Sequence, residues 1–255
     1  MRPDHGDRRA LASFPGFGLS FAGTSRITGA KAAEREMELR GRTGIVMGAE
    51  TPIGAAIARA LAEAGARILP AGADPALMPT PAGPADAPAE TPDGTAAEPL
   101  HFIIEATLLP ACPSSLAETS GLAEILLGTV RPFAASVRLA PRLARGGSLL
   151  CVSVPPGPTP EEGWLLPLLA WRAAAVAGLA RELAPKGVRV NGLAPVLDGA
   201  AKLPGFLQRG APQVAPPTPL GRAADPAEVA EAALWLLGAG MVTGITLPLD
   251  GGRGL

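Results

Sequence analysis

Apolar positions along this chain follow two periods in turn, and their order predicts a layered α/β domain. Thr43 to Ala49 (TGIVMGA) is a short, nearly continuous apolar run with the length of a buried strand. Beyond it, Ile53, Ile57 and Leu61 recur at i, i+4 and i+8, the spacing of one buried helix face. Thr51 stands at the N-cap and Pro52 at the first helical position, where a missing N–H costs the helix little; Gly65 ends the helix. The runs ARILPAG, HFIIEATLL, GSLLCVSV, GVRVNGLAP and ITLPLDGG read as further strands. HFIIEATLL shows little polar alternation, as expected of a parallel strand covered on both faces. Helical patterns occupy about 116–143 and the segment LLPLLAWRAAAVAGLARELA, and Asp225, Pro226 and Glu228 make a capping-box start for another helix. Strands alternating with helices through right-handed crossovers give a Rossmann-like, doubly wound parallel sheet of the α/β class.

One stretch breaks the rhythm. Between residues 73 and 99 stand Pro75, Pro79, Pro81, Pro84, Pro88, Pro92 and Pro99, among alanines, threonines and acids. Neither a central strand nor a helix interior carries that density of proline. The segment is expected to be a solvated loop, so that the sheet lacks one edge strand-helix unit beside the adenine end of its crevice. Residues 1–40 fit the domain poorly and read as an irregular N-terminal extension to a domain spanning 41–255. Paired arginines before a mildly apolar stretch resemble an export signal, but Pro15, Gly16 and Gly18 interrupt it. Met37 offers an alternative start for the domain.

Composition narrows the function classes. Lys plus Arg is 22 and Asp plus Glu is 23, so no basic excess exists to neutralise nucleic-acid phosphates. Cys112 and Cys151 lack metal-ligand spacing and read as two reduced thiols of a cytoplasmic protein. No apolar run has the length of a membrane span.

Four segments in order, GIVMGAETPIGAAIARALAEAGARIL, ARELAPKGVRVNGLAP, PLGRAADPAEVAEAALWLL and VTGITLPLDGGRGL, resemble the short-chain dehydrogenase/reductase family. Within it the chain looks closest to the pteridine and dihydromonapterin reductases. That branch also tolerates a non-glycine where Pro52 stands, and its Asn-Ala-Ser after the fourth strand resembles Glu105-Ala106-Thr107. The resemblance implies NAD(P)(H) as coenzyme, with contacts at Gly48, Glu50, Thr51, Ile53, Gly54 and Ala106, and assembly into an oligomer. Pro52 deletes one amide from the helix start that would face a pyrophosphate. Where a ribose-binding carboxylate is expected the chain has Gly72, with Asp74 two residues on, so the choice of coenzyme stays open.

The family's chemistry needs a tyrosine as proton donor, a lysine four residues later to lower its pKa, a serine and an asparagine. This chain contains no tyrosine. The tyrosine position falls on Leu165, the lysine position on Leu169, the serine position on Val154 beside Ser153, and the asparagine position on Gly128. Arg172, a poor acid, is expected at a surface or interface; Glu161 and Glu162 as solvated loop acids; His101 as a structural histidine. No catalytic residue and no metal ligand is assigned. The small-residue face Ala170, Ala173, Ala174 and Ala177 suits close packing against a second copy or another subunit. The expected function is a non-catalytic binding or structural subunit with a remnant NAD(P) crevice. The alternative is an NAD(P)H-dependent, pteridine-reductase-like oxidoreductase with an atypical proton donor.

Overall fold

The computed structural model describes residues 39–70, 98–107, 122–153, 166–197 and 218–254, with 122–129 and 166–169 described as backbone only. The elements follow in the order β1 (Thr43–Met47), α1 (Pro52–Glu63), β2 (Arg67–Leu69), β3 (Leu100–Glu105), α2 (Leu122–Leu139), β4 (Leu143–Val152), α3 (Leu166–Leu183), β5 (Arg189–Pro195), α4 (Pro226–Gly238) and β6 (Thr246–Leu249). The six strands form one parallel sheet in the order β2-β1-β3-β4-β5-β6. The chain leaves β1 outward to β2, then returns to β1's other side at β3. Strand order therefore reverses at β1/β3, the point where open α/β sheets form their ligand crevice.

Strand alternation divides the core in two. Val46, Phe102, Ile104, Leu150 and Val152 face α1 and α4 and meet Ile53, Ile57, Leu61, Val229 and Leu236. Ile45, Met47, Ile103, Leu149 and Cys151 face the other side, with Phe133 of α2 and Val176, Ala180 and Leu183 of α3. Ile53, Ile57 and Leu61 are wholly buried, each stabilising the fold by about 1.5–3 kcal/mol relative to exposure. Leu39 already belongs to this core, and the amide of Gly41 is bonded to the Gly65 carbonyl at 2.9 Å.

The expected caps occur. Thr51 accepts from the Gly54 amide, and Asp225 with Glu228 completes a capping box at α4. Several boundaries differ. The second strand stops at Leu69 and the third at Glu105. The middle helix ends at Leu139, followed by a 3-10 turn over Ala140–Arg142, because Pro141 cannot continue an α-helix. The fourth strand starts at Leu143 rather than Gly147, with a register irregularity between its pairings to Leu100 and Phe102. Among the described residues β2 is the edge strand; the proline-rich segment expected at 73–99 lies outside the described residues as far as residue 97, as does the extension up to residue 38.

Candidate functional site at the strand-order switch

The β1–α1 turn is built from two glycines that its own packing demands. Gly48 has φ +80°, a region favourable only to glycine, and a Cβ there would stand 2.6 Å from the Ala106 carbonyl carbon. A Cβ on Gly54 would stand 2.0 Å from the Gly48 carbonyl oxygen. The Thr51 hydroxyl closes the turn, donating to the Gly48 carbonyl at 2.7 Å and accepting from the Gly54 amide at 3.0 Å. Gly48, Glu50, Thr51, Ile53 and Gly54 lie on this turn and Ala106 packs beside it, but few of their donors are free. Pro52 has no N–H, the Gly54 amide is spent on Thr51, and Ala106 gives its amide to the Met47 carbonyl at 2.9 Å. Among the described residues, the Ile53 amide is the one N–H of the first helical turn left without a partner to face a phosphate. Glu50 is exposed, and the side chain of Ile53 is committed to the core.

Beside the turn lies a charged pair that the sequence reading did not foresee. Glu105 ends β3, directly opposite Met47 of β1 in the parallel register, and points with Ile103 and Cys151 toward α3. Its carboxylate pairs with the guanidinium of Arg172, and both side chains are buried, at 0% and 3% exposure. Arg172 therefore does not lie at a surface or interface. The reason is helical register: positions 169, 172, 176, 180 and 183 fall on one face of α3, and Val176, Ala180 and Leu183 bury that face against the sheet. Arg172 Nη2 also donates to the Val152 carbonyl at 3.1 Å, and the Thr107 hydroxyl donates to Glu105 Oε1. Arg172 thus ties α3 to the C-terminal ends of β3 and β4.

Burial pushes the Glu105 carboxyl above its ordinary value, while the Arg172 charge and the Thr107 hydroxyl pull it back. Burial also raises the thiol of Cys151, and the neighbouring Glu105 adds to the rise; this free cysteine is an inert core group. Ser153, one residue past β4, is buried, and its amide continues the ladder to the Leu193 carbonyl at 2.8 Å. His101 Nδ1 accepts from the Thr43 amide at 3.1 Å, tying β3 to β1. Leu169 and Gly128 lie on α3 and α2, whereas Val154, Leu165, Glu161, Glu162, Gly72, Asp74 and Cys112 lie outside the described residues. Among the described residues no three His, Cys, Asp or Glu side chains gather as a metal site, and no helix is long and apolar enough to cross a membrane. A cavity of about 620 Å³ opens at the opposite, N-terminal end of the strands, lined in part by Leu39, His101, Ser148 and Met241.

Residues 128–253 match the family model described as enoyl-(acyl carrier protein) reductase. The uncharacterized oxidoreductase YmfI of Bacillus subtilis is 34% identical over 134 residues, 50% of this chain and 55% of its own length. Carbonyl reductase family member 4 of Danio rerio is 42% identical over 74 residues, 29% of this chain and 30% of its own. The chain thus matches about half of the first relative's length and under a third of the second's. It belongs to the short-chain dehydrogenase/reductase family. Solved structures agree on the fold. A 3-ketoacyl-(acyl-carrier-protein) reductase from Brucella melitensis complexed with NADH superposes with a TM-score of 0.61 at 22% identity, covering 85% of this chain and 100% of that one. A short-chain dehydrogenase from Burkholderia cenocepacia in complex with NADP gives 0.64 at 22% identity, covering 85% and 99%.

Proposed function

We propose that this member of the short-chain dehydrogenase/reductase family is a non-catalytic binding or structural subunit that retains a reduced NAD(P) crevice. One observation carries the reading: the chain has no tyrosine at all, so the phenol that passes the proton in this family has no counterpart here. The expected lysine position on α3 is Leu169, and the cation of that helix face, Arg172, is neutralised by Glu105. A guanidinium is a donor with no ready proton to give and is a poor general acid. Losing acid–base help alone costs about 10²–10⁴ in rate. NADH and NADP in the two solved relatives support that coenzyme class for the crevice, and the single free amide of its helix start argues for weak binding.

The subunit reading extends to assembly. Ala170, Ala173, Ala174 and Ala177 are exposed along the outer side of α3, and Trp171 stands beside them, its ring edge-on to Phe133 at 5.3 Å between centroids. A stripe of small side chains lets a second helix approach closely, and a second copy of this chain is the partner assigned to it. We assign the protein to the cytoplasm because its two cysteines, without metal-ligand spacing, read as reduced thiols.

A second reading, a pteridine-reductase-like enzyme with an atypical proton donor, is favoured by Glu105, a buried carboxyl at the crevice whose proton is held more firmly than usual. Titrating purified protein into NADH and NADPH while following nicotinamide fluorescence separates the readings. The subunit reading expects weak binding or none and no consumption of reduced coenzyme with dihydropterin; steady consumption would establish the enzyme instead.

A further inference from the structure

No residue of the β1–α1 turn lines the cavity of about 620 Å³ at the other end of the sheet. Its size is that of a small-molecule pocket, and its wall is not that of a packing defect. Voids left by imperfect packing are apolar and stay dry. This one brings Arg42, His101, Ser148 and Arg189 together, and among the described residues no acid lines it. Glu98, the acid whose charge reaches His101, is held by Arg67 and by the Thr43 hydroxyl.

Two donors in that wall are unspent. The Thr43 amide donates to His101 Nδ1 at 3.1 Å, so the neutral ring carries its proton on Nε2. Nε2 meets no acceptor among the described residues. Ser148 is only 3% exposed, and its hydroxyl also bonds to no group there. Buried polar groups are almost always paired, so an idle hydroxyl on a cavity wall points to what enters the cavity. The two donors are close in register: Ser148 of β4 pairs with Phe102, the residue after His101 on β3. Arg189 fastens its guanidinium to the Leu236 and Leu237 carbonyls at the end of α4, which fixes a positive charge beside them. Leu39, Leu237 and Met241 give the cavity an apolar side, and Met241 is 97% exposed at its edge.

These features select the ligand. A carboxylate offers one oxygen to each donor, and its charge suits a wall that holds arginines and no acid. Inorganic phosphate would use the polar side alone and leave the apolar side facing water. We propose that the cavity binds a small organic carboxylate, its head group received by His101 Nε2 and the Ser148 hydroxyl and its hydrocarbon body by Leu39, Leu237 and Met241. The site lies at the end of the strands away from the Gly48 turn, so it stands whether or not a dinucleotide binds. Its failure would leave the subunit reading untouched.

The experiment titrates the full chain with octanoate by calorimetry. Octanamide serves as the same body without the charge, and inorganic phosphate as an anion without the body. Octanoate is expected to bind one site per chain, about tenfold more tightly than either. Ser148→Ala removes a hydroxyl that bonds to nothing in the fold. It is expected to weaken octanoate about tenfold while the unliganded protein melts no lower than the parent. His101→Asn keeps an acceptor for the Thr43 amide but has no group where Nε2 stands, and the same loss is expected. Excess NADH is expected to leave octanoate binding unchanged. No saturable binding, octanamide or phosphate as tight as octanoate, unchanged affinity in Ser148→Ala/His101→Asn, or displacement by NADH would overturn the proposal.

Discussion

Arg172 stands seven residues after Leu165 and three after Leu169, on the side of α3 that buries Val176, Ala180 and Leu183. A cation placed there has to be compensated from the sheet, and Glu105 at the end of β3 does so. Removing one partner strands the other: Arg172→Met is expected to destabilise the protein by about 3–5 kcal/mol, and Glu105→Gln/Arg172→Met to recover most of that loss in urea unfolding. Equal losses in the single and double variants would show that the pair does not act as a pair. The glycines of the turn make a second residue-scale case. Gly54→Ala would press a Cβ against the Gly48 carbonyl, so its melting temperature is expected to fall several degrees with no coenzyme present. The glycines were legible in the sequence because a strand-turn-helix pattern needs them. The ion pair was written there too, as one acid closing the apolar run HFIIE and one arginine in register with an apolar helix face. Reading Arg172 alone as a surface or interface residue missed it, because the partner lies 67 residues away and only the fold brings the two together.

Among the elements, the helix starts were the most readable, since capping is local chemistry. Thr51 caps α1 and the Asp225–Glu228 box caps α4, each from residues within one turn. Strand and helix ends were less so: β4 reaches back across Gly146 and Gly147 to Leu143 because tertiary pairing with Leu100 extends it. The start of α4 also carries a pH dependence. Arg222 grips Glu228 with two bonds of 2.7 Å, and the Asp225 amide adds a third at 2.8 Å, holding its carboxyl down to about 2. A carboxyl more acidic in the folded chain than in the unfolded one stabilises the fold above the unfolded value of 4.5, and that contribution is lost as pH falls from there toward about 2. Glu228→Gln is therefore expected to flatten the fall in melting temperature across this window while leaving the slope near neutrality unchanged. An unaltered acid slope in the variant would place the dependence elsewhere.

For the molecule as a whole, the alternation of strands and helices was enough to predict the doubly wound sheet, and the missing tyrosine was plain from composition. What the sequence did not disclose was how the crevice is furnished: the Thr51 hydroxyl consuming a helix-start amide, and a neutralised arginine one turn beyond the lysine position. Together these describe a short-chain dehydrogenase/reductase fold that keeps the glycine turn between β1 and α1, and the loss of its proton-transfer set is the proposal to be tested. The most direct measurement is the rate of NADPH and NADH oxidation by the purified full-length chain, with dihydropterin and with simple ketones, at several pH values. The account predicts no rate above the enzyme-free background at any of them. A protein-dependent rate that disappears in Glu105→Gln would contradict it, and would assign the proton to the buried acid.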